Sequence, residues 1–159
     1  MPLVSIDERI VEKTGRSIPE IVKEQGWEHF RDIETAVVEE WGGRDGLVLD
    51  CGGGAILRDR NRRSLRRNGF VVWLKATVPT IIERISPDTQ RPSLTSGKSF
   101  TDEVSEVLAV RSPLYEKAAH QGVSTDNRTP DEIAEQILEA FAEFSAKSQV
   151  DGSHRLPRS

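Results

Sequence analysis

Two short apolar runs, Leu47-Val48-Leu49 and Phe70-Val71-Val72-Trp73-Leu74, each bounded by turn residues, constrain the fold more than anything else in the chain. Continuous rather than alternating hydrophobicity over a strand's length reads as a strand buried on both faces. One helical stretch, Asp59 to Asn68, lies between them. Strands alternating with helices predict an α/β fold, a three-layer parallel sheet with crossover helices on both faces.

The remaining segments fit that alternation. Leu3 and Val4 begin a strand fragment ending in Ser5-Ile6-Asp7, so Asp7 is expected just before a helix that carries Ile10 and Val11 and stops at Thr14-Gly15. Ser17 caps a second helix, with Pro19 and Glu20 in its first turn. Phe30, Ile33, Val37 and Trp41 then recur at three and four, the stripe of an amphipathic helix, until Gly42-Gly43. Pro79 starts another helix, and the polar residues 86–99 read as a mobile surface loop. Thr101 or Asp102 caps the next helix, which Pro113 bends or ends. Val123-Ser124-Thr125 is a weak last strand, and Thr129-Pro130-Asp131-Glu132 opens a helix to about Phe144 with Ile133, Ile137, Leu138 and Phe141 on one face. From Ser145 the chain lacks apolar periodicity, which predicts one domain over 1–144 and a disordered tail over 145–159.

Composition narrows the function. A formal charge of -4 and a pI near 5.5 over 159 residues give no global pull toward nucleic acid and point to a small-molecule protein. No apolar run nears the roughly 20 residues that span a bilayer, and Met1-Pro2-Leu3-Val4 is too short for a signal peptide, so no membrane is expected and a cytoplasmic location follows by default. The single Cys51 has no Cys or His partner at metal-ligand spacing and reads as a small packing residue.

Three segments could carry chemistry. Arg31 and Glu34, three apart on a helix, form a pair in which the carboxylate fixes the guanidinium while its other donors fork onto an anion; the same spacing also describes a solvated surface pair. Gly52-Gly53-Gly54, directly after an apolar strand, clears side chains from the carboxyl end of a parallel sheet, where backbone N–H groups reach a ligand; a tight turn is the alternative. Arg111-Ser112-Pro113-Leu114-Tyr115 is either a binding segment or a helix end with Tyr115 in the core. No Gly-x-x-x-x-Gly-Lys-Ser/Thr loop occurs: Gly97-Lys98-Ser99 has Pro92 where the first glycine belongs, and no buried strand leads into it.

The order and spacing of these segments resemble the shikimate kinases. That family reads Asp-x-Asp before a helix, then Thr-Gly-x-Ser-Ile, Phe-Arg-x-x-Glu, Gly-Gly-Gly-Ala, Arg-Pro-Leu and Arg-x-Pro-Leu-Tyr. Here stand Asp7, Thr14-Gly15-Arg16-Ser17-Ile18, Phe30-Arg31-Asp32-Ile33-Glu34, Gly52-Gly53-Gly54-Ala55, Arg91-Pro92 and Arg111-Ser112-Pro113-Leu114-Tyr115. The resemblance implies a nucleoside-monophosphate-kinase-like P-loop fold and transfer of the ATP γ-phosphoryl to the 3-hydroxyl of shikimate, in aromatic amino-acid biosynthesis. Shikimate, ATP and Mg²⁺ come with it. By similarity Arg31 and Arg111 would bind the shikimate carboxylate, Glu34 would orient Arg31, and Gly53 with Gly52 and Gly54 would meet substrate by backbone. Asp7 would hold the hydroxyls and act as base, Arg91 would lie over the phosphates, and Arg128, in Thr125-x-x-Arg128-x-Pro130, along adenine.

The chain departs from that pattern in two places. In the family a first strand, a phosphate loop and a helix precede Asp7, and that strand lies between those corresponding here to residues 47–49 and 70–74. The expectation is therefore a sequence that begins too late, through a misplaced start or truncation, with self-association through the two unpaired edges where the complete protein is a monomer. The alternatives are a non-catalytic relative that binds shikimate or a partner protein, and a kinase of another polyol acid. Secondly, the first Asp of Asp-x-Asp is Ser5, while Asp50 ends the run Leu47-Val48-Leu49. Asp50 either carries the Mg²⁺ carboxylate or bonds a nearby amide.

Overall fold

The computed structural model describes residues 1–85 and 100–150. Their backbone separates into two compact units, Met1–Gly69 and the residues from Phe70 onward, where the sequence predicts one domain. The division follows the strands. Among the described residues they form two separate two-stranded parallel sheets.

The first unit runs β1 (Leu3–Ser5), α1 (Ile6–Thr14), α2 (Ile18–Gly42), β2 (Val48–Asp50), a 3-10 turn (Ala55–Leu57) and α3 (Asp59–Asn68). β1 and β2 pair with Leu3, Val4 and Ser5 opposite Val48, Leu49 and Asp50. The Ser5 hydroxyl accepts from the Glu8 amide at 3.4 Å, so the helix starts at Ile6 and Asp7 sits in its first turn rather than ahead of it. At Ser17 a capping box closes reciprocally: the Glu20 amide donates to Ser17 Oγ, and the Ser17 amide to Glu20 Oε2 at 2.8 Å. α2 is broken at Gly26, whose φ of 82° and ψ of 170° suit only glycine, into helices over 18–25 and 27–42. The second packs on α3, and α1 packs on α2, around Ile6, Ile10, Ile21, Phe30, Val37, Val38 and Leu65.

Burial corrects the reading of the strands. Val48 is 46% exposed and its partner Leu3 71%, because a sheet of two strands leaves residues uncovered that a wider sheet would bury. In the second unit Leu74 is likewise exposed.

That unit runs β3 (Val72–Lys75), α4 (Val78–Ile85), α5 (Phe100–Ala118), β4 (Gln121–Ser124) and α6 (Pro130–Val150). β3 and β4 are parallel, with Val72 opposite Gln121 and Lys75 opposite Ser124. Thr101 and Asp102 lie inside the first turn of α5 and do not cap it, and Pro113 does not end it; the helix continues one turn further, to Ala118. α6 also outruns its expected end at Phe144, which is packed against Phe70 and His120 at ring distances of 5.0 and 4.9 Å, and reaches Val150. Leu138, expected on the apolar face of α6, is exposed. The expected loop over 86–99, with Arg91 and Gly97-Lys98-Ser99, and the tail from 151 lie outside the described residues. No described helix is long and apolar enough to cross a membrane.

Candidate functional site

Arg31 and Glu34 are not a solvated pair. Arg31 Nη1 donates to Glu34 Oε1 at 2.7 Å, with the two side chains only 10% and 3% exposed. The helix after the Gly26 break presents both toward the core side of the first unit, and the Arg31 guanidinium lies 4.9 Å from the Phe30 ring centre and 5.4 Å from that of Trp27. Burial pushes the Glu34 carboxyl up; the hydrogen bond and charge of Arg31 pull it back, and the Asp7 charge adds a further rise. Glu34 Oε2 is buried with no hydrogen-bond partner among the described residues. A guanidinium held through one nitrogen by a buried carboxylate keeps further donors for a second anion.

The glycine run faces this pair. A methyl group at Gly54 would overlap the Arg31 guanidinium, so any side chain there would push the guanidinium from this place. At the other end Gly52, with φ 65°, stands against the Asp7 carboxylate: its missing Cβ would lie 3.6 and 3.7 Å from the two oxygens. Asp7, Gly52, Gly54, Arg31 and Glu34, apart in sequence, thus adjoin through one turn.

Cys51 and Asp50 border that turn. Burial, then the charges of Asp50, Glu34 and Asp7, push the Cys51 thiol up to about 12, which makes it an inert packing residue. Asp50 Oδ1 accepts from the Gly52 amide at 3.3 Å. This is the amide-bonded arrangement, and it leaves the second oxygen of Asp50 outside that bond.

The other expected residues belong to the second unit. Arg111 lies on α5, one turn before Tyr115, whose ring stacks on Trp73 at 5.3 Å. Arg128 donates to Ser124 O at 3.4 Å, to Glu132 O at 2.8 Å and to the Gln136 side chain, which fixes its guanidinium at the start of α6. Arg91 lies outside the described residues.

Sequence reasoning missed Arg58 and Asn61. Arg58 reaches from the end of the 3-10 turn to α2, donating to Asp32 Oδ1 at 2.6 Å, Glu28 Oε2 at 3.1 Å and Thr35 Oγ1 at 3.5 Å. Asn61 is fully buried and donates to Ala55 O at 2.9 Å. No spacing rule marks either one, since both act across tertiary contacts.

Comparison with known proteins identifies the family. The family described as Shikimate kinase matches residues 1–142. Shikimate kinase 2 of Enterobacter sp. (strain 638) is 42% identical over 141 residues, covering 87% of this chain and 79% of the relative. The shikimate kinase of Pseudomonas fluorescens (strain Pf0-1) is 38% identical over 144 residues, covering 91% and 83%. Among solved structures, the shikimate kinase from Acinetobacter baumannii in complex with shikimate superposes with a TM-score of 0.83 at 34% identity, covering 89% of this chain and 79% of that one.

Proposed function

This chain belongs to the shikimate kinase family, and from that premise we propose that its first unit carries the acceptor site of an ATP-dependent shikimate kinase. The reaction is transfer of the ATP γ-phosphoryl to the 3-hydroxyl of shikimate. The observation that carries the site reading is the placement of Asp7 and Arg31 against the two ends of one side-chain-free turn, Gly52 and Gly54.

Each group has a definite task. Arg31, with Glu34 holding one nitrogen, offers its remaining donors to the shikimate carboxylate, and Arg111 is the second cation for that group. Gly52, Gly53 and Gly54 let the ring pass close to the backbone. Asp7 accepts a hydrogen bond from the 3-hydroxyl and takes its proton as the oxygen bonds to the γ-phosphorus and the bond to ADP breaks. Arg91 and Arg128 serve the nucleotide.

Mg²⁺ fits the donor set in a limited way. No group of three or more His, Cys, Asp or Glu side chains suited to a metal occurs among the described residues, yet Mg²⁺ needs only one or two carboxylates when substrate phosphates and waters complete its shell. Asp50, with Ser5 opposite it, would hold it through that one carboxylate, and the ion would offset charge on the phosphates. A cytoplasmic location accords with this metabolic role.

Shikimate-dependent release of ADP, measured on a form extended by an upstream strand, phosphate loop and helix, tests the reading. Activity that requires both shikimate and ATP, and falls on Asp7→Asn, is the expected result. ATP turnover indifferent to shikimate would exclude it.

A further inference from the structure

Three successive glycines cannot hold their own turn. They bring no side chains to anchor and lose more backbone freedom on ordering than any other residue. The order at Gly52-Gly53-Gly54 comes from the segment that follows. Leu57 donates its amide to Gly54 O at 3.1 Å, and all three carbonyls of the 3-10 turn are taken by α3 side chains: Asn61 Nδ2 to Ala55 O at 2.9 Å, Arg62 Nη1 to Ile56 O at 2.5 Å and to Leu57 O at 3.3 Å.

Asn61 differs from its neighbours in burial. It is 0% exposed, and its Oδ1 is buried with no hydrogen-bond partner among the described residues. The opposite amide orientation would set two oxygens against each other at Ala55, so the donor faces the turn. Leaving an amide oxygen without a partner is costly, so Asn61 is a poor residue for stability alone. Its value lies in the donor. Arg58 ties the same turn to α2, but through ion pairs with exposed carboxylates, which hold weakly.

We propose that Asn61 is a positioning residue of the acceptor site: its bond to Ala55 O sets the turn so that Gly54 leaves room for the Arg31 guanidinium and Gly52 for the Asp7 carboxylate. This rests on the reading of Arg31 and Asp7 as shikimate-binding groups. Asn61→Asp keeps the shape and turns a donor into an acceptor facing Ala55 O. Asn61→Leu keeps the approximate volume and removes the donor. Leu65→Ala, at a buried position on the same helix, is the control, lowering stability without removing any hydrogen bond to the turn.

The test measures shikimate affinity by calorimetry and amide hydrogen exchange at residues 52–55, on the full chain. In both Asn61 variants shikimate binding weakens by about tenfold to a hundredfold, the scale of an ångström-level misplacement, and exchange at the turn quickens. Leu65→Ala loses thermal stability but keeps both values. Unchanged affinity and exchange in a folded Asn61 variant overturn the proposal. So does failure of both variants to fold while Leu65→Ala folds, since Asn61 would then be structural. If the unmodified chain binds no shikimate, the functional reading fails on its own, and exchange alone decides the positioning role.

Discussion

Ser5 and Asp50 lie opposite each other at the carboxyl ends of β1 and β2. Register partners on adjacent parallel strands share a face and stand about 5 Å apart. The shikimate kinase pattern puts an aspartate at the position of Ser5, and this chain puts one a single strand away. Ser5 is meanwhile occupied as the cap of α1.

If Asp50 has taken over the metal carboxylate, Asp50→Asn in a form carrying the upstream phosphate loop lowers turnover and raises the Mg²⁺ concentration needed for half-maximal rate, with shikimate affinity nearly unchanged. Adding Ser5→Asp to that variant recovers part of the loss. Magnesium titrations of the initial rate decide it, and an unaltered magnesium dependence in Asp50→Asn would make Asp50 purely structural.

Cys51 is expected to resist modification in the native protein. With its thiol pushed up to about 12 from 9.0, chiefly by burial, the thiolate fraction at pH 8 is on the order of 10⁻⁴, against about a tenth when unfolded. The same shift favours the folded state in full below pH 9, and that contribution is lost as pH rises toward 12. Native and denatured rates with a thiol reagent at pH 8 should differ widely; equal rates would contradict the environment described for Cys51.

Asp126 gives a pH signature in the second unit. Hydrogen bonds from the Thr80 hydroxyl, the Thr77 amide and hydroxyl, and the Ser124 hydroxyl lower its carboxyl from 3.8 to about 2. Its contribution is present above pH 3.8 and is lost as pH falls through about 2. Side-chain carbon shifts followed by NMR should show Asp126 still ionised at pH 3, and a midpoint near the ordinary value would refute the anchoring of Thr77.

Leu3 and Val48, exposed partners on a sheet of two strands, predict association with a second copy of the chain at the β1–β2 sheet. Sedimentation should give a mass that rises with concentration, and Val48→Lys should hold it at the monomer value. A monomer at every concentration would show these residues to be covered in another way.

The helices were the legible part. The cap at Ser17, the helix start near Pro130 and the bounds of α3 are local, and local rules found them. Pro113 does not end its helix, and beside it the Ser112 hydroxyl is bonded back to Leu108 O at 2.7 Å. The candidate site was legible only as separate segments. Arg31 and Glu34 could be paired from their spacing, but their burial, and the fit of Gly54 against Arg31, depend on α2, the glycine turn and α3 meeting. The anchoring of that turn by Asn61 has no local signature at all.

The proposed grip on the shikimate carboxylate is that of Arg31, on α2 against the glycine turn. Calorimetric titration of shikimate tests it directly, on the unmodified protein, Arg31→Ala and Arg31→Lys. Removing a charge-assisted partner from a desolvated carboxylate is predicted to weaken binding by about 2–5 kcal/mol in Arg31→Ala. Arg31→Lys, which keeps the charge but not the fork, should recover little of it. Shikimate binding of undiminished affinity in folded Arg31→Ala would contradict the account.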